Sequence, residues 1–102
     1  MSELQKLKEE IRAFADARDW EIFHTPKNLS MAIAGEAGEL VAEFQWLTPE
    51  ESKVINLSSD KLHDISMEIA DVAIYLLRLT DVLNLDLASV MREKIDINQS
   101  RF

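Results

Sequence analysis

Two pairs of acidic residues have the spacing needed to act together. Glu36 and Glu39 are three residues apart, and so are Glu68 and Asp71, so each pair projects from one side of a helix. Both pairs lie among apolar residues and have no lysine or arginine within four positions on either side. Partly buried carboxylates need a counter-charge, which here is expected to be a cation other than a side chain. Oxygen ligands without cysteine or clustered histidine favour Mg²⁺ or Mn²⁺ over zinc.

A solvated helix face is the ordinary explanation for a single E-x-x-E pair, because most exposed glutamates have no ligand. Two matched pairs in apolar segments favour a shared site instead. Gly35 and Gly38 flank Glu36, and each costs about 1 kcal/mol relative to alanine inside a helix. They permit the close approach of another helix or of a ligand, although close packing alone explains one of them equally well.

The composition limits the classes of protein that this chain can belong to. Its 102 residues predict one domain, residues 1–102, and 47% hydrophobic content is typical of a folded globular chain. The formal charge of -8 repels a phosphate backbone, so we expect no nucleic-acid partner. The absence of cysteine removes any disulfide or thiolate chemistry and predicts a cytoplasmic location. The charged N-terminal segment and the lack of a long uncharged stretch predict neither secretion nor a membrane partner.

The elements that must position these carboxylates are predicted to be helices. Only two glycines and two prolines are present, too few turn residues for an all-β fold. Apolar residues recur at three- and four-residue spacing, and the capping residues Ser2, Thr25 and Asp86 precede such segments. The first three predicted helices run from Ser2 to near Trp20, from Thr25-Pro26 to Trp46, and from Ser59 to Leu83. The last begins at Asp86 and carries the apolar residues Leu87, Val90, Met91 and Ile95, followed by an NQSRF tail that looks exposed.

Two further segments have less regular patterns. Thr48 and Glu51 form a capping-box sequence, but the polar residues that follow predict only a short helix or an ordered loop. In contrast, the segment from Ile74 to Leu83 is apolar on more than one face. One small bundle cannot cover all of those faces, so a homo-oligomer is expected.

The acidic motifs also resemble a known family. GEAGEL followed by MEIAD is similar to the E-x-x-E and E-x-x-D signature of the all-α nucleoside triphosphate pyrophosphohydrolases, the MazG superfamily. RDWEIFHTPKNL, FQW and KIDIN with Arg101 resemble its dCTP pyrophosphatase branch, so the similarity covers nearly the whole chain. The resemblance implies a four-helix bundle, assembly as a dimer or a dimer of dimers with the tetramer preferred, and hydrolysis of a nucleoside triphosphate to its monophosphate and pyrophosphate. It also implies Mg²⁺ ligands at Glu36, Glu39, Glu68 and Asp71.

This sequence departs from the family pattern at three places. Gly35 stands where the broader superfamily has a further acid, as in the dCTPase-like branch, which reduces three ligands on the second helix to two. Ile11 stands where that branch often has a histidine, which puts a base contact at this position in doubt. Family members commonly end in Tyr-Pro after the last arginine, whereas this chain ends at Phe102.

Several other residues are candidates for binding a nucleotide. Trp20 and Trp46 offer wide faces for stacking a base, with core packing as the alternative. Tyr75 lies one turn beyond Asp71 and could reach a sugar or phosphate, unless it is a core tyrosine with its hydroxyl at the rim. A cationic face on the last helix could meet phosphate oxygens or could simply be solvated. His24 and Asn28 are further candidates, although both are also compatible with an exposed polar segment. The candidates on the cationic face of the last helix are Lys94, Asn98 and Arg101.

These observations predict a Mg²⁺-dependent enzyme that hydrolyses deoxynucleoside triphosphates, dCTP and dATP first, in nucleotide-pool housekeeping. Water is the expected nucleophile, and the catalytic residues are the four acids, with Glu39 as the candidate base. No Walker loop, Ser-His-Asp set or cysteine offers a covalent route. One alternative is a catalytically silent helical module that binds a nucleotide or a protein. Another is a pyrophosphohydrolase of a different metabolite, such as phosphoribosyl-ATP, against which the two tryptophans argue.

Overall fold

The computed structural model describes residues 1–102 and confirms the all-α prediction. It contains four α-helices and no strand. The helices are α1 (Glu3–Ala17), α2 (Pro26–Phe44), α3 (Ser59–Val82) and α4 (Leu87–Arg101).

Each helix begins at a side chain that satisfies its first backbone N–H groups. Ser2, Thr25 and Asp86 accept hydrogen bonds from backbone N–H groups three residues further on, at 3.2, 3.2 and 3.0 Å respectively. The predicted starts of α1, α2 and α4 are therefore confirmed. In α3 the cap is Ser58, whose hydroxyl accepts from the N–H of Lys61 at 3.1 Å. Pro26 occupies the first turn of α2, where its missing N–H costs nothing.

The first helix ends earlier than its apolar pattern suggests. α1 stops at Ala17, and Asp19 adopts a left-handed conformation with φ of 54° before a 3₁₀ turn at Trp20–Ile22. An aspartate tolerates this conformation better than most side chains, which is why the helix can break there. Trp20 is consequently placed on a turn beside α1 rather than on the helix itself.

The connection between α2 and α3 is an ordered loop. The Thr48 N–H donates to Glu51 Oε1 at 2.8 Å, and the Glu51 N–H donates back to Thr48 Oγ1 at 3.1 Å. This is the reciprocal pair of a capping box, yet only turns and a 3₁₀ segment at Val54–Asn56 follow it. α2 itself ends at Phe44, two residues before Trp46.

The core lies between α3 and the two helices that pack on it. α2 and α3 run antiparallel, because Glu43 near the end of α2 pairs with Lys61 near the start of α3, while Glu36 lies beside Glu68. α1 packs on α3, whereas α4 makes few contacts with the other helices. The fully buried apolar residues are Ala15, Leu29, Ile65 and Leu77.

The single chain leaves much apolar surface uncovered. Only 6 of 102 residues are buried, and the radius of gyration is 16.1 Å, against about 13 Å for a compact domain of this length. At Gly35 and Gly38 an added Cβ would meet no atom within 4 Å, so no other helix of the same chain approaches there. None of the helices is both long and apolar enough to cross a membrane.

Candidate active site

Three carboxylates from two helices converge at the α2–α3 contact. Carboxylate oxygens of Glu36, Glu68 and Asp71 lie within 4.8 Å of one another. Glu68 and Asp71 share one side of α3 because they are three residues apart, and the antiparallel packing of α2 brings Glu36 opposite them. Glu39 lies one turn beyond Glu36, is exposed, and is outside this group of three.

The charges of this cluster are not compensated by the protein. Partial burial raises the pKa of Glu68, and the negative charges of Asp71, Glu39, Glu36 and Glu43 raise it further. No lysine or arginine forms an ion pair with Glu36, Glu68 or Asp71. A cluster of this kind is electrostatically strained until a cation binds, which is the property expected of a divalent metal site.

A cavity of about 220 Å³ opens beside the carboxylates, between α1 and α3. Two of the clustered acids, Glu36 and Asp71, line it, so the acidic cluster and the cavity form one continuous site. Most of the remaining wall is apolar or aromatic. The lining residues are Ile11, Phe14, Ala15, Trp20, His24, Glu36, Asp71, Ile74, Tyr75 and Arg78.

Aromatic rings form one corner of this cavity. The Phe14 and Trp20 rings meet edge to face, with centroids 5.5 Å apart and planes at 69°. His24 continues the row, with its ring centroid 5.8 Å from that of Trp20. The Arg18 guanidinium lies over the Phe14 ring, 3.5 Å from its centroid. Such a corner offers an edge and a face to a flat ligand.

A polar network that the sequence analysis missed closes the other end of the cavity. The Arg78 side chain is almost fully buried, at 4% exposure, and its Nε donates to His24 Nδ1 at 3.0 Å. Arg78 Nη1 also donates to Asp81 Oδ2 at 3.4 Å, and Arg12 donates to both Asp81 oxygens at 2.6 and 2.8 Å. The sequence spacing of residues 68, 71, 75 and 78 could have indicated that Arg78 belongs to the site, because this spacing places the four residues along one side of α3.

The network shifts the titration of two of its members. The hydrogen bond from Arg12 lowers the pKa of Asp81, with smaller contributions from nearby positive charges. Burial lowers the pKa of His24, and the charge of Arg78 lowers it further. At neutral pH the network therefore contains an ionised Asp81 and a neutral imidazole.

The structure brings together some of the predicted substrate-binding residues and leaves others apart. Trp20, His24 and Tyr75 line the cavity, as does Ile11. Asn28 instead donates from Nδ2 to the Phe23 carbonyl at 3.1 Å, and Trp46 is 87% exposed beyond the end of α2. The candidates on α4 do not line the cavity of the same chain: Lys94, Asn98 and Arg101.

Fold and site together define a class, namely small all-α proteins in which facing helices hold acidic residues beside a cavity lined mostly by apolar and aromatic side chains. No protein-family model matches the chain. A solved structure of a pyrophosphatase from Archaeoglobus fulgidus superposes with a TM-score of 0.90 at 33% identity, covering 100% of this chain and 94% of that one.

The curated relatives of the chain are also named as pyrophosphatases. The proteins named dCTP pyrophosphatase 1 from Homo sapiens and Bos taurus are 42% and 39% identical over 89 residues, 87% of this chain. The chain spans about half the length of these relatives, 52% of the human protein. The chain belongs to the MazG-like all-α nucleoside triphosphate pyrophosphohydrolase family, in its dCTP pyrophosphatase-like branch.

Proposed function

We propose that this protein is a Mg²⁺-dependent pyrophosphatase that hydrolyses deoxynucleoside triphosphates to the monophosphate and pyrophosphate. The observation that carries the proposal is the continuity of the carboxylate cluster with the aromatic cavity, because Glu36 and Asp71 belong to both. A nucleoside triphosphate matches this arrangement, because its polyanionic phosphate chain would lie at a metal held by the carboxylates and its flat base would lie in the aromatic cavity. The family membership of the chain supports the same activity.

The acidic donor set fits a hard divalent cation. Glu36, Glu68 and Asp71 supply only carboxylate oxygens, at mutual distances within 4.8 Å, and Glu39 stands one turn from Glu36 as a fourth candidate. Such ligands would hold Mg²⁺, and Mn²⁺ is compatible with the same set. When bound, the metal neutralises phosphate charge and lowers the pKa of a water molecule.

The residues of the chain have separate roles in the reaction. Glu36, Glu68 and Asp71 are the residues that would hold the metal beside the cavity. Glu39, outside the group of three, is the candidate base that takes the proton of the attacking water. The new bond joins the water oxygen to phosphorus, and cleavage of the α–β anhydride releases monophosphate and pyrophosphate. The chain has no cysteine for a covalent route.

We assign the base and sugar of the substrate to the aromatic end of the cavity. Trp20 is the stacking residue of this chain, and Tyr75, one turn past Asp71, packs against the 2′ carbon and disfavours ribose. The name of the curated relatives supports dCTP as first substrate. Ile11 lines the wall without offering a hydrogen bond, so base-edge selection is relaxed and dATP is expected to follow.

We further propose that the site is completed in a homotetramer built as a dimer of dimers. The large exposed apolar surface and the open space at Gly35 and Gly38 support association with further chains, and the choice of a tetramer over a dimer follows from the family resemblance. In it, neighbouring chains would supply residues that stand away from the cavity of their own chain: Asn28, Trp46, Lys94, Asn98 and Arg101. A mass near the 11.7 kDa of one chain in light scattering at micromolar concentration would contradict it. A cytoplasmic housekeeping role completes the proposal, and the absence of cysteine is consistent with it.

A nucleotide panel tests the activity directly. Pyrophosphate release is measured for dCTP, dATP, dTTP, dGTP, dUTP and CTP at fixed Mg²⁺, and kcat/KM is compared. We expect dCTP first, dATP second and CTP far below dCTP. Equal use of CTP and dCTP, or an optimum for dUTP or dGTP, would overturn the base and sugar assignment. No pyrophosphate from any nucleotide, with folded and metal-binding protein, would instead indicate a silent binding module.

A further inference from the structure

The contact between Arg78 and His24 determines the protonation pattern of the imidazole ring. Arg78 Nε carries a proton at all relevant pH values and donates it to His24 Nδ1 at 3.0 Å. Nδ1 must therefore offer its lone pair, so the proton of the neutral ring is on Nε2. A doubly protonated ring would lose this bond and would place one cation against another.

The Arg78 side chain is itself fixed from the opposite side. Asp81 accepts from Arg78 and from both donors of Arg12, which joins α1 to α3 through one carboxylate. Arg78 is only 4% exposed, so its guanidinium has little freedom to move away from the ring. This rigidity is what a side chain needs in order to orient a neighbouring one.

The second ring nitrogen of His24, Nε2, is accessible and has no partner within the protein. His24 itself lines the cavity. Arg78, its partner, is seven residues beyond Asp71 on α3, a rise of about 10 Å along the helix axis. Arg78, which holds the imidazole, is therefore about two helical turns further along α3 than Asp71, on the side toward which a nucleoside would extend from a phosphate chain bound at the carboxylates.

We propose that Arg78 is a positioning residue that holds His24 as the neutral Nε2–H tautomer, so that the imidazole donates a hydrogen bond to an acceptor atom on the edge of the bound nucleobase. The tautomer is a property of the ligand-free protein, and only the base contact rests on the proposed function. The nucleobase supplies carbonyl oxygens and unprotonated ring nitrogens as acceptors. A fixed donor recognises such an atom, whereas a ring that exchanges tautomers presents a donor for only part of the time.

Nitrogen-15 NMR of the full-length protein tests the tautomer without any substrate. The chain has only two histidines, so His63→Gln assigns the spectrum by removing one of them. We expect wild-type His24 to show an unprotonated Nδ1 and a protonated Nε2, while exposed His63 shows averaged tautomers. In Arg78→Met, which leaves Asp81 paired with Arg12, the His24 signals should also become averaged. A wild-type His24 that is protonated on Nδ1 at neutral pH overturns the proposal, even if the variant does not fold.

Steady-state kinetics with dCTP test the base contact. His24→Ala should raise KM about tenfold, the scale of one lost hydrogen bond, and Arg78→Met should raise it only about threefold, because the imidazole is then still present but no longer held as one tautomer in one orientation. The value of kcat should change by less than about twofold in each. The further test introduces Arg78→Met into a protein that already lacks the imidazole. In a His24→Ala background the same substitution should change KM by less than about twofold, because Arg78 acts through the imidazole. Equal effects in both backgrounds would show that Arg78 acts on packing alone and would overturn the proposal.

The two measurements separate this inference from the proposed function. A fixed tautomer in a protein that releases no pyrophosphate would contradict the enzymatic function and leave the positioning role of Arg78 intact. Pyrophosphatase activity in a protein whose His24 exchanges freely between tautomers would support the enzymatic function and contradict the positioning role of Arg78.

Discussion

The two ends of the cavity treat charge in opposite ways. At one end, Glu36, Glu68 and Asp71 carry like charges within 4.8 Å of one another and have no cationic partner in the protein. At the other end, Asp81 binds two arginines, and Arg78 in turn binds His24. The first arrangement is destabilising until a ligand arrives, whereas the second is satisfied by the protein itself.

This contrast separates residues that act on a ligand from residues that hold the site in shape. An uncompensated cluster gains free energy when a cation binds, so its substitution should affect metal binding and turnover more than folding. A satisfied buried pair contributes to the folded state, so its loss should affect stability first.

Removing one negative charge at the carboxylate end should have the largest effect. Asp71→Asn or Glu39→Gln is expected to lower Mg²⁺-dependent turnover at least about a hundredfold, because a metal ligand or the base is lost. The circular dichroism spectrum should stay unchanged, since neither residue has a partner in the protein. Glu50→Gln, at the exposed ion pair with Lys53, is the matched control and should retain activity. Near-normal turnover of either site variant would remove that residue from the site.

The same change at the satisfied end should act on stability instead. Asp81→Asn removes the charge that Arg12 and the almost fully buried Arg78 share, and it should lower the free energy of unfolding by about 2 kcal/mol. Glu50→Gln breaks the fully exposed pair with Lys53 and should cost less than about 0.5 kcal/mol. Urea denaturation of the three proteins measures both values. Equal losses for the two variants would show that the Asp81 network is no more important than a surface ion pair.

The comparison also shows what the sequence could and could not predict. Helical spacing predicted that two acidic pairs meet, because acids three residues apart share one side of a helix and two apolar helices pack together. Three of the four acids, Glu36, Glu68 and Asp71, do so, whereas Glu39 lies outside the group. The same logic predicted the caps at Ser2, Thr25 and Asp86. Local rules of this kind depend on only a few neighbouring residues, which explains why they succeed.

The Arg78 network depends on contacts that no local rule contains. Arg12 and Asp81 are 69 residues apart in sequence, and Arg78 and His24 are 54 apart. The turn that places Trp20 beside Phe14 depends in turn on the left-handed backbone of Asp19, a conformation that an apolar pattern does not encode. Trp46, which is 87% exposed and outside the cavity of the single chain, shows likewise that a position at the end of a helix does not by itself place a tryptophan in a pocket.

Added Mg²⁺ should stabilise the folded protein only by binding to the carboxylate cluster of Glu36, Glu68 and Asp71. At a Mg²⁺ concentration ten times its dissociation constant, the expected gain in the free energy of unfolding is about 1.4 kcal/mol. The gain should vanish in Asp71→Asn and should persist in Asp81→Asn, although the latter starts from a lower stability. Thermal melts with and without Mg²⁺ give both differences. An equal gain in all three proteins would place the metal elsewhere on this acidic surface.

The smallest expected effect is a difference in how the two ends respond to pH in the metal-free protein. The folded pKa of Asp81 is lowered by the hydrogen bond from Arg12, so the unfolded chain binds more protons there. Its contribution is present above the ordinary aspartate pKa of about 3.9 and is lost as pH falls through the lower folded value. The folded pKa of Glu68 is raised by burial and by its acidic neighbours, so here the folded chain binds more protons.

The two shifts therefore give stability curves of opposite slope. The Glu68 contribution is favourable below the ordinary glutamate pKa of about 4.3 and is lost as pH rises through the higher folded value. Glu68→Gln should consequently melt above wild type at pH 7 and lose that advantage on acidification. Asp81→Asn should melt below wild type at pH 7 and approach it as the pH falls below the ordinary aspartate pKa. Saturating Mg²⁺ should reverse the first difference, because the ionised Glu68 then has a partner, and should leave the second unchanged. If Glu68→Gln has no advantage at pH 7 without metal, the cluster is solvated well enough to need no cation, and the contrast between the two ends disappears.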